Sequence, residues 1–308
     1  MVYRIYLFVL LLALCAPSWC VQVRILATGD MHGAFDAQPY GSRMIGGAAA
    51  LLQYWRDVEG YSPQTYLLLS TGDNAAGSPL SDKHLGIPAI DVMNVMGYDA
   101  SAVGINEFAY GREAFLDMAK RASFPFLAAN LLNSDGTPAT EFVTGIINDE
   151  QGLKVGIIGL AYNQAYADVG YTGSAYEAAV RDVHAKLKAN GALVTIVVAH
   201  APMAEMEALA TAVLDLNIPL ILCGYDHIFA QKLVKYTRVV NSSAWWMGYS
   251  RIMLDYNPAT KKASLISCRQ VQFIHPAVMP EAEEVNAAIA FWATKGTGKD
   301  DNSVGKKK

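Results

Sequence analysis

Five short, mainly apolar runs limit what this chain can fold into: Val21–Ala27, Tyr66–Ser70, Val155–Leu160, Thr195–Ala199 and Pro219–Cys223. Each reads as a buried strand. Helical patterns lie between them: Ala48–Val58, Ile87–Met96 with Pro88 in its first turn, Ser174–Asn190 stopped by Gly191, Pro202–Leu216 and Glu281–Trp292. Strand alternating with helix predicts an α/β layered fold. Val239–Phe273 differs, because its strands follow one another directly, as in an antiparallel or mixed sheet. The 308 residues are 53% hydrophobic and 17% charged, which excludes a disordered chain. The net charge of −4 gives no long-range attraction for a nucleic acid polymer or an anionic lipid surface. With no internal repeat and no linker, residues 21–293 read as one domain, and 294–308 as a disordered polar tail.

Residues 1–20 read as a secretory signal peptide. Met1–Arg4 carries one positive charge, Ile5–Ala16 is apolar, and small residues at Ser18 and Cys20 suit cleavage before Val21. The apolar run is shorter than the span of about 20 residues that a membrane helix needs. A mature chain without a transmembrane segment is expected, secreted or otherwise extracytoplasmic. Of the four cysteines, Cys223 and Cys268 remain after the leader. A disulfide and two buried thiols are both compatible with their positions.

The chemistry collects where strands end. The first strand runs into Thr28-Gly29-Asp30-Met31-His32-Gly33, and the second into Ser70-Thr71-Gly72-Asp73-Asn74. Two later ones end at Ala199-His200-Ala201 and Gly224-Tyr225-Asp226-His227. Ligands of α/β sheets sit outside the carboxyl ends of strands. A single Asp or His there is usually a turn or cap residue. Four such ends together deliver oxygen and imidazole ligands, the set that suits zinc, manganese or iron. His84, His184 and His275 read as structural or surface residues. The pair Trp245-Trp246 offers a stacking platform near these ends. Alternation along a strand would place one of the two in the core.

At these residues the chain resembles the calcineurin-like metallophosphoesterases, specifically the 5′-nucleotidase and 2′,3′-cyclic phosphodiesterase branch. Gly72-Asp73-Asn74-Ala75-Ala76-Gly77-Ser78-Pro79-Leu80-Ser81, Met93-Asn94-Val95-Met96-Gly97-Tyr98-Asp99-Ala100, Phe126-Leu127-Ala128-Ala129-Asn130-Leu131 and Leu153–Leu160 carry the likeness, which runs from Val21 to about Tyr256. The resemblance implies a four-layer α-β-β-α sandwich of two packed mixed β-sheets. It also implies a two-metal site that holds a phosphate for in-line attack. By the same resemblance Asp30, His32 and His227 bind the first metal, Asp73 bridges both, and His200 binds the second.

Other positions depart from that pattern. The family has Gly-Asn-His-Glu where this chain has Gly104-Ile105-Asn106-Glu107. The metal-binding asparagine is therefore Ile105, the catalytic histidine is Asn106 and its partner aspartate is Ala109. A further second-metal histidine is Tyr225. One divalent metal is expected, with the second site reduced to Asp73, His200 and the phenol of Tyr225. Two function classes stay open: a metal-dependent phosphoesterase of weakened activity on a nucleotide-like or other phosphorylated small molecule, and a degenerate pseudo-phosphatase that binds a metal, ligand or partner.

Overall fold

The computed structural model describes residues 20–150, 152–164, 166–275 and 280–296. The expected leader, apart from Cys20, and the tail from 297 onward lie outside the described residues. In chain order the elements are β1 (Val21–Thr28), β2 (Ala37–Tyr40), β3 (Arg43–Gly46), α1 (Ala48–Tyr54), β4 (Leu67–Ser70), α2 (Pro79–Lys83), α3 (Ile87–Met96), β5 (Ala100–Ala102), α4 (Arg112–Arg121) and β6 (Phe126–Leu127). Next come β7 (Leu131–Asn133), β8 (Gly145–Glu150), β9 (Leu153–Leu160), β10 (Tyr171–Gly173), α5 (Tyr176–Ala189), β11 (Val194–Ala199) and α6 (Met203–Ala212). The chain then runs through β12 (Leu220–Cys223), β13 (Phe229–Val234), β14 (Thr237–Ser242), β15 (Gly248–Asn257), β16 (Lys262–Gln272), β17 (Ile274–His275) and α7 (Glu283–Thr294).

Two six-stranded mixed sheets form the middle layers, in the orders β16-β15-β1-β4-β5-β6 and β13-β14-β12-β11-β9-β8. Strand periodicity explains how they pack. Side chains alternate faces along a strand, so Ile25 and Ala27 of β1 enter the intersheet core while Leu26 faces a helical layer. Likewise Ile196 and Val198 of β11, with Leu220 and Leu222 of β12, fill the space between sheets. Val197, Ala199, Ile221 and Cys223 turn outward onto α5 and α6. Helices α1, α3, α4 and α7 cover the outer face of the first sheet. The result is the expected α-β-β-α sandwich, and strands covered on both faces read as continuous apolar runs for this reason.

The expected elements shift at their ends. The segment Ala48–Val58 is α-helical only to Tyr54 and continues as a π-helical stretch, Trp55–Glu59. Pro202–Leu216 divides into α6 and a 3₁₀ turn, Leu214–Leu216. Helix α7 runs to Thr294, one residue past the expected domain edge, and Lys295 lies over the ring of Trp292. The Val239–Phe273 region is the antiparallel hairpin β15–β16 together with β14, which pairs parallel to β12 and antiparallel to β13.

Both cysteines in question are free thiols. Cys223 faces the α5–α6 layer and Cys268 packs against the intersheet core. The two thiols therefore face different layers of the sandwich.

Candidate metal centre

Strands β1, β4 and β5 run parallel in one sheet, as do β9, β11, β12 and β14 in the other. Their carboxyl ends meet at one edge of the sandwich, and the loops remain hydrogen-bonded as they leave the sheets. Asp30 N donates to Gly72 O at 2.9 Å, His32 N to Asp73 O at 2.9 Å and His200 N to Leu160 O at 2.8 Å. The approach is close enough to require glycine. A Cβ on Gly29 would sit 1.8 Å from Thr71 Oγ1, and one on Gly224 would sit 2.7 Å from the same atom. Asp30, His32, Asp73, Tyr225 and His227 all take positive φ, a conformation that costs non-glycine residues energy and that collects at functional sites.

Five expected ligands come together. Asp30, His32 and His227 form one group able to hold a metal ion, and Asp30, Asp73 and His200 form another, each with ligand atoms within 4.8 Å of one another. Asp30 is common to both groups, a position that the resemblance gives to Asp73. The Nε2 atoms of His32 and His227 are 2.9 Å apart, and His227 Nε2 is 3.6 Å from Asp30 Oδ1. Burial lowers the pKa of both rings, and for His227 the neighbouring His32 adds to that. Neutral imidazoles with converging nitrogens are what a metal requires.

His200 is the sharpest test of fit. It is fully buried, and its Nδ1 lies 3.0 Å from Thr71 O, the contact that orients an N–H toward a carbonyl. Its Nε2 is then a buried lone pair with no hydrogen-bond partner, 3.4 Å from Asp73 Oδ1. A buried polar atom left in this state is costly, and a divalent cation between it and the carboxylates would satisfy it. Asp30 tells the same story. Burial, opposed by the Tyr225 N–H and reinforced by the charge of Asp73, pushes its carboxyl up to about 8. A carboxylate so far from water fits a cationic partner. The donor set therefore fits a divalent metal.

The substituted positions separate. Ile105 is half-buried against the aromatic core and offers no ligand atom. Ala109 is exposed. Asn106 does reach the site without a large displacement: its Nδ2 donates to Asp73 Oδ2 at 2.8 Å and lies 3.1 Å from His32 Nδ1, while its backbone N donates to Asp73 Oδ1 at 2.7 Å. Tyr225 packs at a tilt against Tyr162 with ring centres 4.8 Å apart and meets His200 at 5.8 Å. Asp226, the remaining strand-end acid, turns away and caps α6 by accepting from Met203 N at 2.7 Å. His84 is buried against Trp292, His184 lies on α5, and His275 meets Glu281 at 3.3 Å.

Glu107 has a role that its place in the motif did not reveal. Fully buried, it accepts from Gly104 N at 2.8 Å, Asp73 N at 3.0 Å, and Asn74 N and Nδ2 at 2.7 and 3.0 Å. It clamps the turn that aims Asp73. Burial, with Asp73 adding to it, raises its pKa to about 7. An acid three residues after a strand-end glycine was the available signal. Trp245 and Trp246 sit in a turn rather than along a strand, yet they do divide: Trp246 is core, and Trp245 faces the histidines.

Comparison with known proteins places this arrangement. A 5′-nucleotidase of Vibrio cholerae is 36% identical over 140 residues, 45% of this chain and 25% of its own length, so the chain spans about a quarter of that relative. Two solved structures share the fold. A 5′-nucleotidase precursor from Thermus thermophilus has a TM-score of 0.77 at 20% identity, covering 89% of this chain and 58% of its own. The calcineurin-like phosphoesterase YfkN from Bacillus subtilis has a TM-score of 0.74 at 24% identity, covering 89% and 97%. Residues 23–229 match the calcineurin-like phosphoesterase family, and a match over more than half of the 308 residues means that this chain belongs to it.

Proposed function

We propose that this protein is an extracytoplasmic, metal-dependent phosphoesterase of reduced turnover, acting on a nucleotide-like or other small phosphate ester. One observation carries the reading: Asp30, His32, Asp73, His200 and His227 converge, and His200 brings an orphaned, fully buried imidazole nitrogen to the group. The V. cholerae relative is a 5′-nucleotidase, which supports the substrate class. The apolar stretch Ile5–Ala16 supports export, and no described helix is long and apolar enough to cross a membrane.

In this reading Asp30, His32 and His227 hold one divalent ion, and Asp73 with His200 complete its surroundings. The ion, when bound, supplies positive charge to the phosphoryl oxygens. The protein's own contributions are orientation and proton control. Thr71 O holds His200 in one tautomer. Glu107 fixes the Asp73 turn. Asn106 can donate a hydrogen bond from its amide but, unlike a histidine, has no proton to release to a leaving group at neutral pH. That difference supports slow hydrolysis over efficient hydrolysis.

A specific observation favours the pseudo-phosphatase as the second reading: the Asn106 amide is already engaged with Asp73 Oδ2, on the carboxylate that a second ion would use. Elemental analysis and p-nitrophenyl phosphate hydrolysis in excess Mn²⁺ separate the two. The phosphoesterase reading expects about one equivalent of metal and slow turnover abolished by Asp73→Ala. Bound metal with no turnover above the Asp73→Ala background leaves the binding protein. An apo chain that ignores added Zn²⁺, Mn²⁺ and Fe²⁺ in calorimetry removes the phosphoesterase and leaves the pseudo-phosphatase only as a binder of a ligand or partner.

A further inference from the structure

Beside the histidines lies a cavity of about 740 Å³, lined by Phe35, Asp36, Ser78, Leu80, Trp245 and Met247 among others. Its size falls in the range of small-molecule sites, roughly 300–1,000 Å³. Trp245 is the wall shared with the metal centre: its ring centre is 4.8 Å from that of His227 and 5.7 Å from that of His32.

Two contacts fix that wall. Trp245 N donates to Asp30 O at 2.9 Å, and the indole N–H of the following Trp246 donates to Ala34 O from within the core. Both tryptophans take positive φ, 53° and 58°. The chain therefore adopts a costly turn that leaves a large aromatic ring 37% exposed next to the candidate metal centre. Burial alone does not reward this, since Trp246 already supplies the core contact. The lining also includes apolar Phe35, Leu80 and Met247, while exposed Asp36 and Gln38 offer polar groups. Apolar walls with one aromatic face and a few polar groups suit a flat aromatic ligand.

We propose that this cavity is a subsite for a flat aromatic group on the phosphate ester, with Trp245 as its stacking face. The inference rests on the phosphoesterase reading for its substrate, and its binding arm is independent of turnover. The probe is adenosine, which carries an aromatic ring and no phosphate. Calorimetry and tryptophan emission should detect adenosine binding to the metal-loaded wild type. Trp245→Ala should weaken it about tenfold, in keeping with base–aromatic stacking, and Trp245→Phe should largely preserve it. Leu80→Trp, which adds bulk to the cavity lining, should weaken it too. Where hydrolysis is measurable, Trp245→Ala should lower kcat/KM for AMP about tenfold more than it lowers that for glycerol phosphate.

No adenosine binding, or binding indifferent to Trp245→Ala and Leu80→Trp, overturns the subsite whatever the enzyme does. An equal loss for AMP and glycerol phosphate also overturns it, because Trp245 would then act only on the metal centre. Adenosine binding that depends on Trp245, in a chain without turnover, upholds the subsite and overturns the hydrolase.

Discussion

Buried or half-buried acids stand at both ends of the sandwich, and the partners at the two ends differ in kind. At the carboxyl ends of the strands, burial drives Asp30 up to about 8, but His32, His200 and His227 surround it with neutral nitrogens. At the opposite end, just ahead of β5, half-buried Asp99 is pushed up to about 6, and Glu150 at the end of β8 to about 7. Burial is the main cause in both, and for Glu150 the charge of Asp99 is the next. The far end contains two mutually repelling acids, with Leu68 N donating to Asp99 Oδ2 at 2.7 Å. Burial is the main penalty at each end, larger for Asp30, and among the described residues only at the strand carboxyl ends do histidine nitrogens gather that could share a cation with the acid.

The largest expected effect tests whether the site end is short only of its exchanged residues. Ile105→Asn, Asn106→His, Ala109→Asp and Tyr225→His together should raise p-nitrophenyl phosphate turnover by about 10²–10⁴-fold, the usual worth of a positioned proton donor. The four are expected to act as a unit, with single changes giving little. No gain in the combined variant would mean that the pocket has diverged beyond these positions.

Metal removal comes next. At a hundredfold excess over Kd a cation adds about 2.7 kcal/mol, which corresponds to roughly 5–10 °C in Tm at about 2–4 °C per kcal/mol. Chelation should lower Tm of the wild type by that amount and leave Asp30→Ala unmoved, since Asp30 belongs to both ligand groups. A chelator-sensitive Asp30→Ala protein would show that the cation sits elsewhere.

A smaller effect concerns the clamp. Glu107→Ala strands the N–H groups of Gly104, Asp73 and Asn74 in a dry interior, at a cost of about 1–3 kcal/mol for an unsatisfied group. It should also weaken metal affinity about 10–100-fold, the usual consequence of losing a group that orients a ligand. Glu107→Gln, which keeps one acceptor oxygen, should fall between the two in calorimetry.

The smallest effect belongs to the far end, and its sign is fixed. Asp99 and Glu150 have folded pKa values above their unfolded ones, so the folded state binds protons more tightly. Their contribution is complete below about pH 4 and declines as pH rises through about 6 and 7. In denaturant titrations Asp99→Asn with Glu150→Gln should flatten the fall in stability between about pH 4 and 7 relative to the wild type. An unchanged slope would show that water already reaches both carboxylates.

Much of this molecule is legible in its sequence because burial on both faces leaves a simple mark. A strand covered by helices on one side and a sheet on the other must be mainly apolar, and β4, β11 and β12 are buried along their whole length, while β1 and β9 carry Gln22, Arg24 and Lys154 only near their starts. The ligand types are equally visible, since Gly-Asp and Asp-x-His after such runs are local patterns. Edge strands such as β2 and β13, with their exposed and mixed residues, carry no comparable mark.

What the sequence determined by itself was therefore the layered fold, the family likeness and the identities of the five candidate ligand side chains. Tertiary structure decided which atoms meet. Asp30 joins both ligand groups, Asp226 turns away to cap α6, and the Asn106 amide reaches Asp73. Trp245 faces the histidines while its neighbour enters the core. These outcomes depend on the φ of single turn residues and on the order of strands in two sheets. Both are settled by the requirement to fill a core and satisfy buried polar groups across distant segments, which no local pattern of residues encodes.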